Sequence, residues 1–250
     1  MIARPVRALS SLVAVLLAVA CTNSFEIPIE TPIRPKLEVA AFQRVLVAGF
    51  IAGGTEDVDG NLETTRLLRS QLRTKSQLRV IDSDVLPLVD VATEGRDSGG
   101  ATTAPEPIKE EKDLEAYEHV FANVEYWKKI GEEYQQPLIV TGTVMFTPLQ
   151  RNSIVQREQE VYDSFGRRRV VPVRTYQERK GFSLDGRFIF IDGRSGATLH
   201  SESFGEQILY NANQTTPALS SYFELMDRLI PTFLSTLSSQ KIKGTRILLQ

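Results

Sequence analysis

Two apolar runs that do not alternate constrain the fold most: Arg44 to Phe50 reads RVLVAGF and Leu138 to Val144 reads LIVTGTV. A strand with one solvated face alternates polar and apolar residues, so runs of this kind belong to strands buried on both faces. After the first run, Gly49, Gly53 and Gly54 are expected to end the strand in a loop, and Asn61 to cap a helix. In that helix Leu67, Leu68 and Leu72 form the inward stripe, while Arg66, Arg69, Arg73 and Lys75 form the solvated face. Leu78 to Ile81 gives a second strand, and a β-α-β crossover of this kind joins parallel strands.

Residues 93–113 (TEGRDSGGATTAPEPIKEEKD) lack periodicity and are rich in Gly, Pro, Thr and charge, the composition of a flexible loop on which no fold contact should depend. From Leu114 the spacing of Tyr117, Phe121, Val124, Trp127 or Lys128, Ile130 and Tyr134 predicts one long amphipathic helix ending before Pro137. The run at 138–144 is then the third strand. Period-two stretches follow at about 153–162, 169–178, 182–192 and 197–210, with turn signals at Asp163-Ser164-Phe165-Gly166 and Asp192-Gly193-Arg194-Ser195-Gly196. A last amphipathic helix spans about Ser220 to Ser238, with Phe223, Met226, Leu229, Ile230, Phe233 and Leu237 inward and Pro231 as a kink, and Arg246 to Leu249 returns as an edge strand. The expected fold class is α/β, a mixed sheet with a parallel β-α-β-α-β start and an antiparallel hairpin half, flanked by helices.

The N-terminus carries Arg4 and Arg7 with no acid, followed by an apolar run from Ala8 to Ala20 broken only by Ser10 and Ser11. That is the profile of a signal peptide over residues 1–20, and the run is shorter than the roughly 20 residues a membrane-spanning helix needs. Leu17-Ala18-Val19-Ala20-Cys21 resembles the lipobox of bacterial lipoproteins. The resemblance implies cleavage between Ala20 and Cys21 and a diacylglycerol thioether on Cys21; the alternative is an ordinary secretory signal that leaves Cys21 as a free thiol. With Thr22 next and no Asp there, the sorting rule of that family implies the outer membrane, facing the periplasm. Cys21 is the only cysteine, so no intramolecular disulfide is possible, and an exposed thiol in an oxidising compartment is a liability that acylation removes. Without Arg4 and Arg7 the mature chain has 27 basic and 31 acidic side chains, a formal charge of −4 that does not favour nucleic acid. Residues 21–41, with Pro28, Pro32 and Pro35 among Ile27, Ile29 and Ile33, read as an extended lipid-anchored tether, and 42–250 as a single domain.

The order of parts resembles the envelope proteins related to the curli-secretion protein CsgG, to LpoB and to the N-terminal domain of TolB. The residues that carry it are RVLVAGF at 44–50, ETTRLLRSQLRTKSQLRVID at 63–82, YQQPLIVTGTV at 134–144 and GRFIFIDGRSGATLHSESF at 186–204. It implies an extracytoplasmic α/β domain that works by binding other envelope components. It supplies no catalytic residues and no cofactor.

Chemistry is scarce in the residues themselves. His119 and His200 have no second histidine or cysteine at ligand spacing, so no metal site is expected, and Glu110-Glu111 and Glu132-Glu133 read as solvated helix faces. Ser238-Ser239-Gln240-Lys241 fits S-x-x-K without the partner motifs of that chemistry, and the glycines at 49, 53 and 54 have no following Gly-Lys-[Ser/Thr]. No catalytic residue is assigned.

The most unusual stretch is Gln156 to Lys180 (QREQEVYDSFGRRRVVPVRTYQERK), an expected hairpin dense in charge. It reads either as an edge hairpin protected by its charges or as a binding arm in which Arg167, Arg168, Arg169 and Arg174 contact an acidic partner or lipid headgroups. Charge on both faces argues against a membrane-barrel hairpin. The functional expectation is a lipid-anchored, non-enzymatic binding or assembly factor for envelope proteins, working through this hairpin or the loop at 93–113. The alternatives are a homo-oligomeric structural subunit of an outer-membrane secretion or assembly complex, joined through its sheet edge, and an envelope hydrolase.

Overall fold

The computed structural model describes residues 24–94, 107–211, 213–214 and 217–249. The signal segment, Cys21 and the centre of the 93–113 loop lie outside the described residues. The chain divides into two compact units, a body, Lys36–Ser238, and a smaller unit holding the residues before and after it. The smaller unit is a two-stranded antiparallel ribbon of β1 (Ser24–Ile33) and β7 (Gln240–Leu249), with Ser24 opposite Leu249 and Ile33 opposite Gln240. Of the segment read as an extended tether, 21–41, Ser24–Ile33 is extended and paired. Glu30 on β1 meets Lys241 at 3.0 Å and Lys243 at 4.0 Å on β7.

In the body, β2 (Arg44–Gly54), β3 (Arg79–Val80), β4 (Leu138–Tyr162), β5 (Arg168–Asp192) and β6 (Thr198–Asn211) form one sheet in the order β3-β2-β4-β5-β6. β2 runs parallel to β3 and β4, and β4, β5 and β6 are antiparallel, so the sheet is mixed and the fold is α/β. Both faces are covered. Helices α1 (Gly60–Lys75) and α6 (Ala218–Leu237) close one face over Val45, Val47, Phe50, Val140, Val144, Phe188 and Phe190. Four short helices, α2 (Leu88–Glu94), α3 (Glu111–Glu115), α4 (Glu118–Ala122) and α5 (Val124–Glu133), lie on the other, over Leu46, Ala48, Ile51, Ile139 and Ile189. Two-sided burial is why the apolar runs of β2 and β4 have no solvated alternation.

The glycines of β2 do not end it. The strand continues to Gly54, and the register against β4 shifts between Val47 and Gly49, where Gly49 has φ +141°. The extra residue reverses the alternation: Val45 and Val47 face the α1 and α6 side, and beyond the shift Phe50 does so. Thr141 Oγ1 donates to the Gly49 carbonyl at 2.8 Å. At Gly54 a Cβ would stand 1.9 Å from the Phe146 carbonyl oxygen, so only glycine allows that approach.

Helix α1 is capped by Asp59, which accepts from Leu62 N at 3.0 Å, and not by Asn61, whose Oδ1 accepts from Phe50 N at 2.7 Å. Leu68 and Leu72 are fully buried as the periodicity requires. Arg69 departs from its expected place on the solvated face: its guanidinium donates to the Val47 and Ser83 carbonyls, both at 2.7 Å, and joins helix to sheet. Desolvation by burial lowers its pKa from the ordinary arginine value.

The long helix expected from Leu114 is three short ones. Asn123 ends α4 in a non-helical conformation and caps α5, accepting from Tyr126 N at 3.1 Å, and Trp127 Nε1 reaches back to the Val120 carbonyl at 2.9 Å. Side chains on successive short helices keep a near-helical spacing, so the period alone does not reveal the break. The expected loop also carries a fold contact, since Ile108 is buried against Gly53 and its carbonyl accepts from Gly54 N at 2.9 Å.

Candidate partner-binding arm

The period-two stretches at 153–162 and 169–178 are the outer halves of β4 and β5, two unbroken strands of 25 residues each. Pairing of β2 with β4 stops at Phe146, and pairing of β5 with β6 stops at Arg179. From Asn152 opposite Glu178 to Tyr162 opposite Arg168 the two strands pair only with each other. At roughly 3.3 Å per residue this is an arm on the order of 35 Å long.

Prolines in the arm sit where the ladder needs no donor. Asp163 N donates to the Arg167 carbonyl at 3.0 Å, and Gly193 N to the Pro137 carbonyl at 3.0 Å, so odd positions of β4 form the hydrogen-bonded pairs. Pro148, opposite Phe182, and Pro172, opposite Glu158, fall on the alternate pairs, with their nitrogens turned away from the β4–β5 ladder. Pro172 therefore removes a donor from the open edge of β5, a known protection against unwanted strand addition.

The tip is a tight, cross-linked turn. Gly166 N donates to the Asp163 carbonyl at 2.9 Å, and Gly166 adopts φ +73°, the left-handed conformation that closes turns of this kind. The Asp163 carboxylate accepts from Phe165 N and Arg167 N, both at 2.9 Å, and from Arg167 Nε at 3.0 Å. The backbone N–H of Arg167 leads these bonds in holding Asp163 below the usual carboxylate range. Phe165 stands on this turn with 80% of its surface exposed, under the guanidinium of Arg167 at 5.4 Å from the ring centroid. Tyr162, at 66%, and Tyr176 and Ile154 are also exposed.

Of the four expected arginines, three are held by acids of the arm. Arg167 and Arg169 approach Asp163 at 3.0 and 4.0 Å, and Arg168 pairs with Glu160. Arg174 lies farther down the arm, opposite Gln156, without an ion pair among the described residues. Register places Glu158, Glu160, Arg168 and Arg174 on one face and Arg157 and Arg169 on the other, so both faces carry charge. Between Asn152 and Glu178 five arginines meet four carboxylates. The arm is thus nearly neutral, and its distinctive surface is the exposed aromatic turn. The arginines show in the sequence as a cluster of charge, whereas Phe165 is marked only as an aromatic inside a four-residue turn, which its own hairpin cannot bury, and Tyr162 only by its place beside that turn.

Except for His200 Nε2, which is buried without a hydrogen-bond partner among the described residues, the remaining polar candidates are bonded within the fold. His119 lies between the Ala116 and Ala92 carbonyls, at 2.9 and 3.3 Å, and His200 Nε2 is 3.7 Å from Glu202. Among the described residues no three of His, Asp and Glu gather as a metal site. In the S-x-x-K segment α6 stops at Leu237, so Ser238 and Lys241 do not share a helical turn. Ser238 donates to the Leu234 carbonyl at 2.8 Å, and Lys241 pairs with Glu30.

The chain is defined by this geometry as a two-face-covered mixed α/β sheet that extends one hairpin far beyond its body. No protein family matches the sequence, and no curated protein matches it. Among solved structures it is similar to lipoprotein GNA1162 from Neisseria meningitidis, with 14% identity, coverage of 77% of this chain and 98% of that one, and a TM-score of 0.35. The C-terminal domain of LpoB from Salmonella enterica gives 8%, 70% and 86%, with a TM-score of 0.33. A PelC dodecamer from Paraburkholderia phytofirmans gives 16%, 85% and 98%, with a TM-score of 0.36. With TM-scores below 0.5, the functional reading rests on this chain's own residues.

Proposed function

We propose that this chain is a lipid-anchored, non-enzymatic protein of the cell envelope, held through Cys21 at the outer membrane and facing the periplasm, where it binds or helps assemble other envelope proteins through the β4–β5 arm. The observation that carries the reading is the arm's tip. An aromatic exposed on a turn fixed by five hydrogen bonds is already ordered before contact, so little entropy is lost when a partner buries it. Aromatic and arginine side chains are also the residue types that dominate binding energy at interfaces. Among the described residues no helix is long and apolar enough to cross a membrane.

The test is site-specific photo-crosslinking in native envelopes, with the crosslinker at position 165 or, as a control, at the exposed Glu125 of α5. Capture of one envelope protein from 165 and not from 125 is expected. Reversing Arg167, Arg168 and Arg169 to Glu should leave folding intact and weaken that capture; undiminished capture would refute the arm as the contact. Cys21→Ser should release the protein from the membrane fraction.

A second reading, a structural subunit that oligomerises through its sheet edge, is favoured by the uneven charge of the two strands. The arm half of β4 carries Arg157, Glu158 and Glu160, a net −1, while that of β5 carries Arg168, Arg169, Arg174 and Glu178, a net +2. Arms set side by side, β4 against the next copy's β5, would bring opposite charges together in a head-to-tail contact of the kind that closes rings. A mass by light scattering that rises with concentration and falls when only the β5 arginines are reversed supports this reading.

A further inference from the structure

The sheet of the body ends on one side at β6, whose outer backbone edge is open. Odd positions of β4 form the hydrogen-bonded pairs with β5, so odd positions of β5 bond toward β4 and even ones toward β6. With Phe182 opposite Ile208 and Gly186 opposite Phe204, the even positions of β6 are taken by β5, and the backbone groups of Leu199, Ser201, Ser203, Gly205 and Gln207 point outward. Arg228 donates to the outward Gln207 carbonyl at 3.4 Å, as this parity requires. Among the described residues no backbone hydrogen bond reaches the outward groups of Ser201, Ser203 and Gly205.

An unpaired edge invites strand addition, and proteins blunt such edges with brevity, proline, lysine or a bulge. The opposite edge strand, β3, has only two residues, and the arm's edge of β5 carries Pro172. β6 runs for 14 residues without proline, lysine or arginine, and its register shift against β5 falls at its start, before His200. Its middle, Ser201, Ser203 and Gly205, is exposed and small enough to admit another strand. Charge selects the occupant. β6 holds two carboxylates, Glu202 and Glu206, and one basic side chain, His200. A second β6 laid antiparallel about Phe204 would set Glu202 against Glu206 at both ends, which is repulsive. Centred on Ser203 instead, it sets Glu206 opposite His200 at both ends, Glu202 opposite Phe204 and Ser201 opposite Gly205, so that no carboxylate faces another. The outward odd positions then form the hydrogen-bonded pairs, and Glu206 meets His200 in a pair of the other kind, where side chains stand closest.

We propose that β6 is a self-association edge, pairing antiparallel with β6 of a second copy about a two-fold axis at Ser203 and joining the two sheets into one. This contact uses neither the arm nor the lipid. The test is sedimentation equilibrium of the full-length protein in density-matched detergent, where a reversible dimer is expected. Ser203→Pro removes an outward donor that β5 does not use, so it should weaken dimerisation at least tenfold with unchanged thermal unfolding, and Glu206→Lys should weaken it as much by facing His200 with a like charge. Reversing Arg168, Arg169 and Arg174 to Glu should leave this dimer intact. Crosslinking reads the register directly. In a Cys21→Ser background, a short bis-thiosulfonate reagent should link Ser203→Cys at least tenfold faster than Ser201→Cys, because the two copies of position 203 are neighbours while those of position 201 stand about 13 Å apart along the strands. A protein that stays monomeric, a dimer that survives Ser203→Pro with its fold kept, a dimer lost on reversal of the arm arginines, or equal crosslinking at 201 and 203 would overturn the proposal.

Discussion

At the scale of single residues, the polar groups inside this protein act as ties between elements. Tyr222 is fully buried in α6; its hydroxyl donates to the Gly60 carbonyl at 3.1 Å and contacts the Thr64 hydroxyl, which itself donates to Gly60 at 2.6 Å. Burial, ahead of every other cause, pushes the phenol well above its usual pKa and keeps it a donor. Tyr222→Phe should therefore destabilise the fold by about 1–2 kcal/mol in urea unfolding, since a buried carbonyl loses one of its donors. Arg69 is the stronger tie because it bridges two backbone carbonyls. Arg69→Met keeps most of the volume and leaves the Val47 and Ser83 carbonyls without it, so a loss of about 2–3 kcal/mol is expected from the same measurement. Sequence periodicity placed Arg69 on the solvated face, because position on a helix says nothing about what loop passes over it; the Ser83 carbonyl comes from a segment 14 residues away.

Elements show the same division between what patterns reveal and what they hide. The mixed sheet was legible in the unalternated runs of β2 and β4 and in the period-two stretches after them, because burial on one or both faces leaves a direct trace in the residue order. Three things left none: that α3, α4 and α5 are separate helices, which depends on the Asn123 cap; that 153–162 and 169–178 belong to the same strands as the body; and that β1 pairs with β7 across the whole length of the chain. The candidate site was half legible, since charge density located the arm while exposure singled out its tip. A prediction belongs to this scale. Pro172→Thr restores an outward N–H on the open edge of β5, and the variant should self-associate at lower concentration than the parent in sedimentation velocity, with little change in stability.

Across the whole molecule, Glu202 is where the segment before β2, the edge strand β6 and helix α6 meet. Burial alone would raise its pKa, but hydrogen bonds from Lys36 and from Thr236 Oγ1, the latter at 2.9 Å, together with the Lys36 charge, outweigh that and lower it. A carboxylate with a depressed folded-state pKa contributes stability above its unfolded value, and this is lost as pH falls through the folded value. Stability should accordingly decline on the acid side, below the ordinary glutamate range, and Glu202→Gln should flatten that part of the profile of unfolding free energy against pH. A variant whose acid limb matches the parent's would show that Glu202 is not among the groups that set it.

The ribbon of β1 and β7 has one more implication. Leu249 stands opposite Ser24, which follows Cys21 by three residues in the sequence. If the thiol carries lipid as proposed, two strands rather than one leave the bilayer side by side, and anything fused to the C-terminus is delivered to the membrane surface. A reporter placed there would sense lipid and its immediate surroundings, and one meant to follow partner capture belongs at the turn around Gly166.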